Sequence, residues 1–137
     1  MDVLLQAFAA GLPVLILHFL VTVAMLAGGV AVYTAVTPHK DFALVRQGNL
    51  AAAVSLAGAI LGLAIPLAFC MASSVSVGEI VIWGLLALVV QILAFRISDL
   101  LLRDLSSRIE AGELAPALLL AAIKLALAAI NAAAVSG

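Results

Sequence analysis

Hydrophobic positions run in four long blocks, roughly 9–36, 50–73, 78–101 and 114–135, with polar residues gathered between them. A helix needs about 20 apolar residues to cross the hydrocarbon core of a bilayer, and each block is long enough. The pattern predicts an all-α membrane protein of four transmembrane helices in a single domain, 1–137. The first block is overlong. Because Gly11-Leu12-Pro13 sits near its start, residues 2–12 are expected to form a short interfacial piece. A secretory signal is not expected there, since MDVLLQ carries an acid and no base and the apolar run outlasts an h-region.

The polar connections have their own punctuation. Thr37-Pro38 reads as an N-cap with proline at the first helical position, opening a short helix that contains Lys40, Asp41 and Arg46 and stops at Gly48, with His39 expected to be solvated in this connection. Asn49 then caps the second span. Ser73-Ser74-Val75-Ser76, with Glu79 beyond, is expected to be a tight hairpin turn. The third span emerges into Arg96, Asp99, Arg103, Asp104, Arg108, Glu110 and Glu113, a mixed-charge segment at helical spacing that stops at Gly112.

Lys40, Arg46, Arg96, Arg103 and Arg108 all lie on the side of the 1–2 and 3–4 connections, so the positive-inside rule predicts both termini outside. Leu50-Ala51-Ala52-Ala53 aligns with Leu114-Ala115-Pro116-Ala117, placing Gly48 on Gly112, Leu56 on Leu120 and Leu61 on Leu125. The expected architecture is therefore two tandem two-helix repeats in the same orientation, related by an axis along the membrane normal.

Composition agrees with the pattern: 67% of 137 residues are hydrophobic and 9% charged, and the mean hydropathy is +1.38. That is more apolar surface than one small core hides, so the lipid bilayer is the first partner expected. A net charge of −1 with no basic cluster gives no footprint for nucleic acid. The single cysteine, Cys70, lies in an apolar run and is expected to be a buried inert thiol.

Few residues offer chemistry. Lys124 lies near the middle of the fourth span, about 10 residues or roughly 15 Å from either end, where a lysine costs about 3 kcal/mol to insert. It shares a stripe of small and polar residues with Ala117, Ala121, Ala128 and Asn131, which should face another helix. No acidic residue falls well inside a hydrocarbon window, so a carboxylate partner for Lys124 is not expected; Gln91, His18 and backbone carbonyls are the candidates. A snorkelling lysine, an ion or proton path and a subunit contact all remain open.

Gln91 lies on the stripe Gly84, Ala87, Gln91, Ala94, Ser98 and should hydrogen-bond across helices. His18 shares a face with Thr22, Met25 and Gly29, and with no second ligand at metal-binding spacing no metal is expected. Gly58 and Gly62 form a GxxxG pair suited to close packing within the chain or between subunits. Tyr33 and Trp83 stand near opposite ends of their spans, as interfacial anchors do. There is no nucleophile elbow, phosphate loop or carboxylate pair in the membrane, so an enzyme and a cofactor are not expected.

Thr37-Pro38-His39, Phe42 to Ala53, Ile65-Pro66-Leu67, Trp83-Gly84, Ala87 to Gln91 and Asn131-Ala132-Ala133 together resemble the YjfL family of bacterial inner-membrane proteins, domain of unknown function 350. The resemblance covers nearly the whole chain. It implies a multi-pass protein of the bacterial inner (cytoplasmic) membrane and brings no established activity or catalytic residues. Lys124 departs from the family pattern, where a small or apolar residue is usual. Family members are often encoded near phage-shock-type stress proteins and ATP-grasp ligases, which implies a setting in envelope stress.

Two functions remain. One is assembly, as a homo-oligomer or as anchor for a cytoplasmic protein docking on the charged connections. The alternative is an ion, proton or small-solute channel or transporter with a polar path through Lys124, Gln91, His18 and Asn131.

Overall fold

A computed structural model describes residues 2–37 and 41–136. Among these residues all regular structure is helical: α1 Asp2–Val36, α2 Asp41–Arg46, α3 Leu50–Ser73, α4 Val77–Leu101, α5 Arg103–Glu110 and α6 Leu114–Ser136. Four of them, α1, α3, α4 and α6, are long and apolar enough to cross a membrane. Two short helices, α2 and α5, sit together at one end of the bundle, and the α3–α4 hairpin closes the other. The expected positions of Pro38, His39 and Lys40 lie outside the described residues.

Helix α3 is the centre of the bundle and packs most extensively on α6. Its small residues make this possible. A Cβ on Gly58 would come within 2.8 Å of the Ala121 Cα, and one on Gly62 within 3.3 Å of the Lys124 carbonyl oxygen. Such close backbone approach supplies the dispersion contacts that hold helices together where no hydrophobic driving force exists. The GxxxG pair is thus used inside the chain. Around it, Tyr33, Ala59, Leu63, Leu67, Leu88 and Phe95 form one core cluster.

Helix α1 differs from the expected first span. It begins at Asp2 and continues through Pro13, which removes one backbone bond to Ala9 without ending the helix. No separate interfacial piece is present. Met25 packs where Gly84 has no side chain and Leu88 where Gly29 has none, so α1 runs parallel to α4. On that register Val77 is level with about residue 18, and α1 extends roughly 24 Å beyond it at 1.5 Å per residue. Residues 2–17 are all exposed.

The two polar connections are built alike. Gly48 has φ +87° and Gly112 φ +95°, the left-handed region open to glycine. At the first, Gly48 N–H donates to Val45 O (3.0 Å) and Asn49 N–H to Leu44 O (3.0 Å); at the second, Gly112 N–H donates to Ile109 O (2.9 Å) and Glu113 N–H to Arg108 O (3.0 Å). Every partner is displaced by the same 64 residues that separate positions 48 and 112. Asn49 joins the connections: its Oδ1 accepts from Ala52 N–H at 3.0 Å, capping α3, while its Nδ2 donates to the carbonyls of Ile109 (3.3 Å) and Glu110 (3.1 Å) at the end of α5.

Candidate functional site

Three of the polar residues singled out in the spans, Lys124, Gln91 and Asn131, converge on one enclosed network. Helix α6 supplies Lys124 and Asn131, α4 supplies Gln91, Phe95, Arg96 and Asp99, and α1 supplies Tyr33. Lys124 is 2% exposed, Asp99 7%, Gln91 1% and Asn131 8%, so these groups must satisfy one another.

Lys124 has a carboxylate partner, contrary to the sequence expectation: its Nζ lies 3.3 Å from Asp99 Oδ1. The Nζ also donates to the Tyr33 hydroxyl, which in turn donates to Asp99 Oδ2 at 3.0 Å. Lysine, tyrosine and aspartate thus close a three-membered ring. The Arg96 Nη1 stands 3.9 Å from Asp99 Oδ2, the oxygen that accepts from Tyr33.

The pairing follows from how α4 and α6 are staggered. They run antiparallel, with Gln91 Nε2 donating to the Lys124 carbonyl at 3.4 Å and Asn131 Nδ2 to the Ala87 carbonyl at 3.1 Å. On that register Asp99 faces α6 about five residues before Lys124, roughly 8 Å along the axis. Side chains tilt toward the N-terminus of their helix, and the long lysine stem leans that way to reach the carboxylate. Lys124 snorkels, but into the protein.

Two aromatic rings complete the surroundings. Tyr33 and Phe95 meet edge to face, with centroids 5.5 Å apart and planes at 80°. The Lys124 Nζ lies 5.4 Å from the Phe95 centroid, within cation–π range, and 4.8 Å from that of Tyr33, at the edge where it donates to the hydroxyl. The expected interfacial role of Tyr33 gives way to this buried one, at 2% exposure. Trp83 is exposed on α4.

Further along α4 and α6, Asn131 Nδ2 also donates to Gln91 Oε1 at 2.9 Å. His18 is not brought into the network. It is half-buried, about 22 Å along α1 from Tyr33, and its carbonyl accepts from Thr22 Oγ1 at 2.7 Å. Of the connection residues, Asp41 is buried and Arg46 exposed, while His39 and Lys40 are outside the described residues. Cys70 is a buried free thiol. Among the described residues no three His, Cys, Asp or Glu side chains form a group able to hold a metal ion.

Asp99, Tyr33, Phe95 and Arg96 are the site residues that sequence reasoning missed. A signal existed for two of them. Tyr33 extends the Met25–Gly29 face by one more step of four, and Asp99 follows Gln91 and Phe95 at the same step.

The family model described as Domain of Unknown Function (DUF350) matches residues 7–135. The chain is 35% identical over 92 residues, 67% of its own length and 70% of the relative's, to the UPF0719 inner membrane protein YjfL of Escherichia coli (strain K12). The same figures hold for the protein of that name in Escherichia coli O157:H7. No solved structure matches.

Proposed function

This chain belongs to the DUF350 family, and from that premise we propose that it acts by assembly, as a homo-oligomer or as the membrane anchor of a cytoplasmic protein. It is a multi-pass inner-membrane protein. The observation that carries the proposal is the closure of its polar network: Lys124, Asp99, Tyr33, Gln91 and Asn131 take one another as partners and leave little polar surface to a permeant. Groups so matched tie α1, α4 and α6 into one body. The surface left for a partner is the polar end, where Asn49 joins the two connections.

In this reading the two halves are tandem repeats of the same orientation, supported by the repeated glycine turns. Both termini face outward, supported by the placement of Arg46, Arg96, Arg103 and Arg108. The family's association with stress proteins suggests envelope stress as the setting. The proposal includes no catalytic step. Affinity capture from gently solubilised membranes should recover a stoichiometric partner or a homo-oligomer. A strictly monomeric, partnerless protein would count against it.

A second reading is passage of a proton, cation or small polyamine, favoured by the string of polar groups from Arg96 through Asp99 and Lys124 to Gln91 and Asn131. Liposome flux decides it. Purified protein that conducts nothing, or flux untouched by Lys124→Met, removes that role.

A further inference from the structure

The walls around the Lys124 ammonium come from other helices. Asp99 and Phe95 belong to α4 and Tyr33 to α1, and the bare Cα of Gly62 on α3 makes room for the Phe95 ring, whose Cζ would lie 2.5 Å from any Cβ there. Helix α6 contributes the cation itself. The lining has the components that recognise an ammonium group: a carboxylate oxygen at 3.3 Å, a hydroxyl that accepts from the Nζ, and the Phe95 ring with its centroid at 5.4 Å.

We propose that Tyr33, Phe95 and Asp99 form a binding site for a primary ammonium group, of which Lys124 is the resident occupant tethered to the chain. A pair that served only to tie helices together would need one charge opposite another. This corner has more, because a hydroxyl and the Phe95 ring close on the same Nζ beside the carboxylate. The Asp99 carboxylate is also held from its other side by Tyr33 at 3.0 Å and flanked by Arg96 at 3.9 Å, so its position does not depend on α6. Emptied of the lysine side chain, the site should retain its shape and take up a free primary amine.

The test is chemical rescue. Lys124→Ala removes the side chain beyond Cβ, and propylammonium replaces those atoms one for one. Thermal unfolding of Lys124→Ala in micelles should shift upward by a few degrees with propylammonium chloride, saturably, and not with equal sodium chloride or tetraethylammonium chloride. Adding Asp99→Asn should weaken the apparent affinity about tenfold or more, which also controls for effects of the amine on the detergent. Equal shifts from all three salts, or rescue undiminished by Asp99→Asn, would overturn the site. If Lys124→Ala does not fold, the wild-type protein still reports. The Lys124 Cε protons should be displaced upfield by the Phe95 ring, and Phe95→Leu should reduce that displacement. Protons at their ordinary shift, unmoved by Phe95→Leu, would also reject the cage.

Discussion

Lys124 and Asp99 are partners across α4 and α6 at 3.3 Å even though their backbones are offset along the helix axes. The pair is enclosed, and both charges have given up water to form it. Burying two charges costs several kcal/mol per ion, and their attraction offsets this only while both are present. Asp99→Asn alone should therefore destabilise the bundle by about 3 kcal/mol, since it replaces the paired counter-charge of a buried ammonium with a neutral amide. Lys124→Met together with Asp99→Leu should recover most of that loss. Unfolding of Lys124→Met, Asp99→Leu and the double variant in one detergent gives the coupling. Additive effects would mean that the two charges do not interact.

Glycine positions separate close packing from mere helix composition. Gly58→Ala places a methyl group within 2.8 Å of the Ala121 Cα, a backbone atom that cannot turn aside, and should cost about 1–3 kcal/mol. Gly28→Ala meets nothing within 4 Å and should leave stability within about 0.5 kcal/mol of wild type. Parallel unfolding measurements compare them. Equal effects would deny the close approach of α3 and α6.

The two glycine stops should respond as a pair. An alanine at Gly48 or Gly112 meets no atom within 4 Å but must adopt φ +87° or +95°. The left-handed region costs an L-residue about 1–2 kcal/mol. Each substitution should destabilise by that amount, and asparagine, which tolerates the region better, by less. Alanine variants as stable as wild type would show that the turns can relax.

What could be read without a structure divides along a physical line. The spans follow from unbroken apolar runs, and the stops at Gly48 and Gly112 from local backbone chemistry. The partner of Lys124 was hidden because a sequence gives position along one helix and says nothing of the stagger between two. Asp99 stands in the last turn of the 78–101 span, at the charged end of α4, and the lysine stem bridges the offset. Tyr33, near the end of its span, reads as an interfacial aromatic for the same reason. At Pro13 a local rule was overridden, since one lost backbone bond does not end a long apolar helix.

Outside the spans, one charge pair sets a pH dependence. Arg108 donates to Glu113 through Nε at 2.9 Å and Nη2 at 3.1 Å, and these hydrogen bonds hold the Glu113 carboxyl below its usual range. A depressed folded-state value means that the contribution to stability is present above the unfolded value, about 4.3 for glutamate, and is lost as pH falls through the folded one. Both side chains are half-exposed, so the effect on stability is small. An NMR titration of the Glu113 carboxyl carbon should show a lower midpoint in wild type than in Arg108→Gln. Identical midpoints would show that the pair is not formed in solution.

Asn49 has two tasks that substitution can separate. Its Oδ1 caps α3 through the Ala52 amide, while its Nδ2 holds the carbonyls of Ile109 and Glu110 at the end of α5. Asn49→Ala removes both and should cost about 1–2 kcal/mol for the cap alone. Asn49→Asp keeps an acceptor for Ala52 but sets carboxylate oxygens against two carbonyls, so the tie to α5 is lost while the cap remains. Hydrogen exchange distinguishes the two outcomes. The Ala52 amide should stay protected in Asn49→Asp and open in Asn49→Ala, while the Gly112 and Glu113 amides, which bond to Ile109 and Arg108, should exchange faster in both. If Asn49→Asp protects the α5 end as well as wild type does, the side-chain amide does not join the connections, and the polar end loses the contact that makes it one surface.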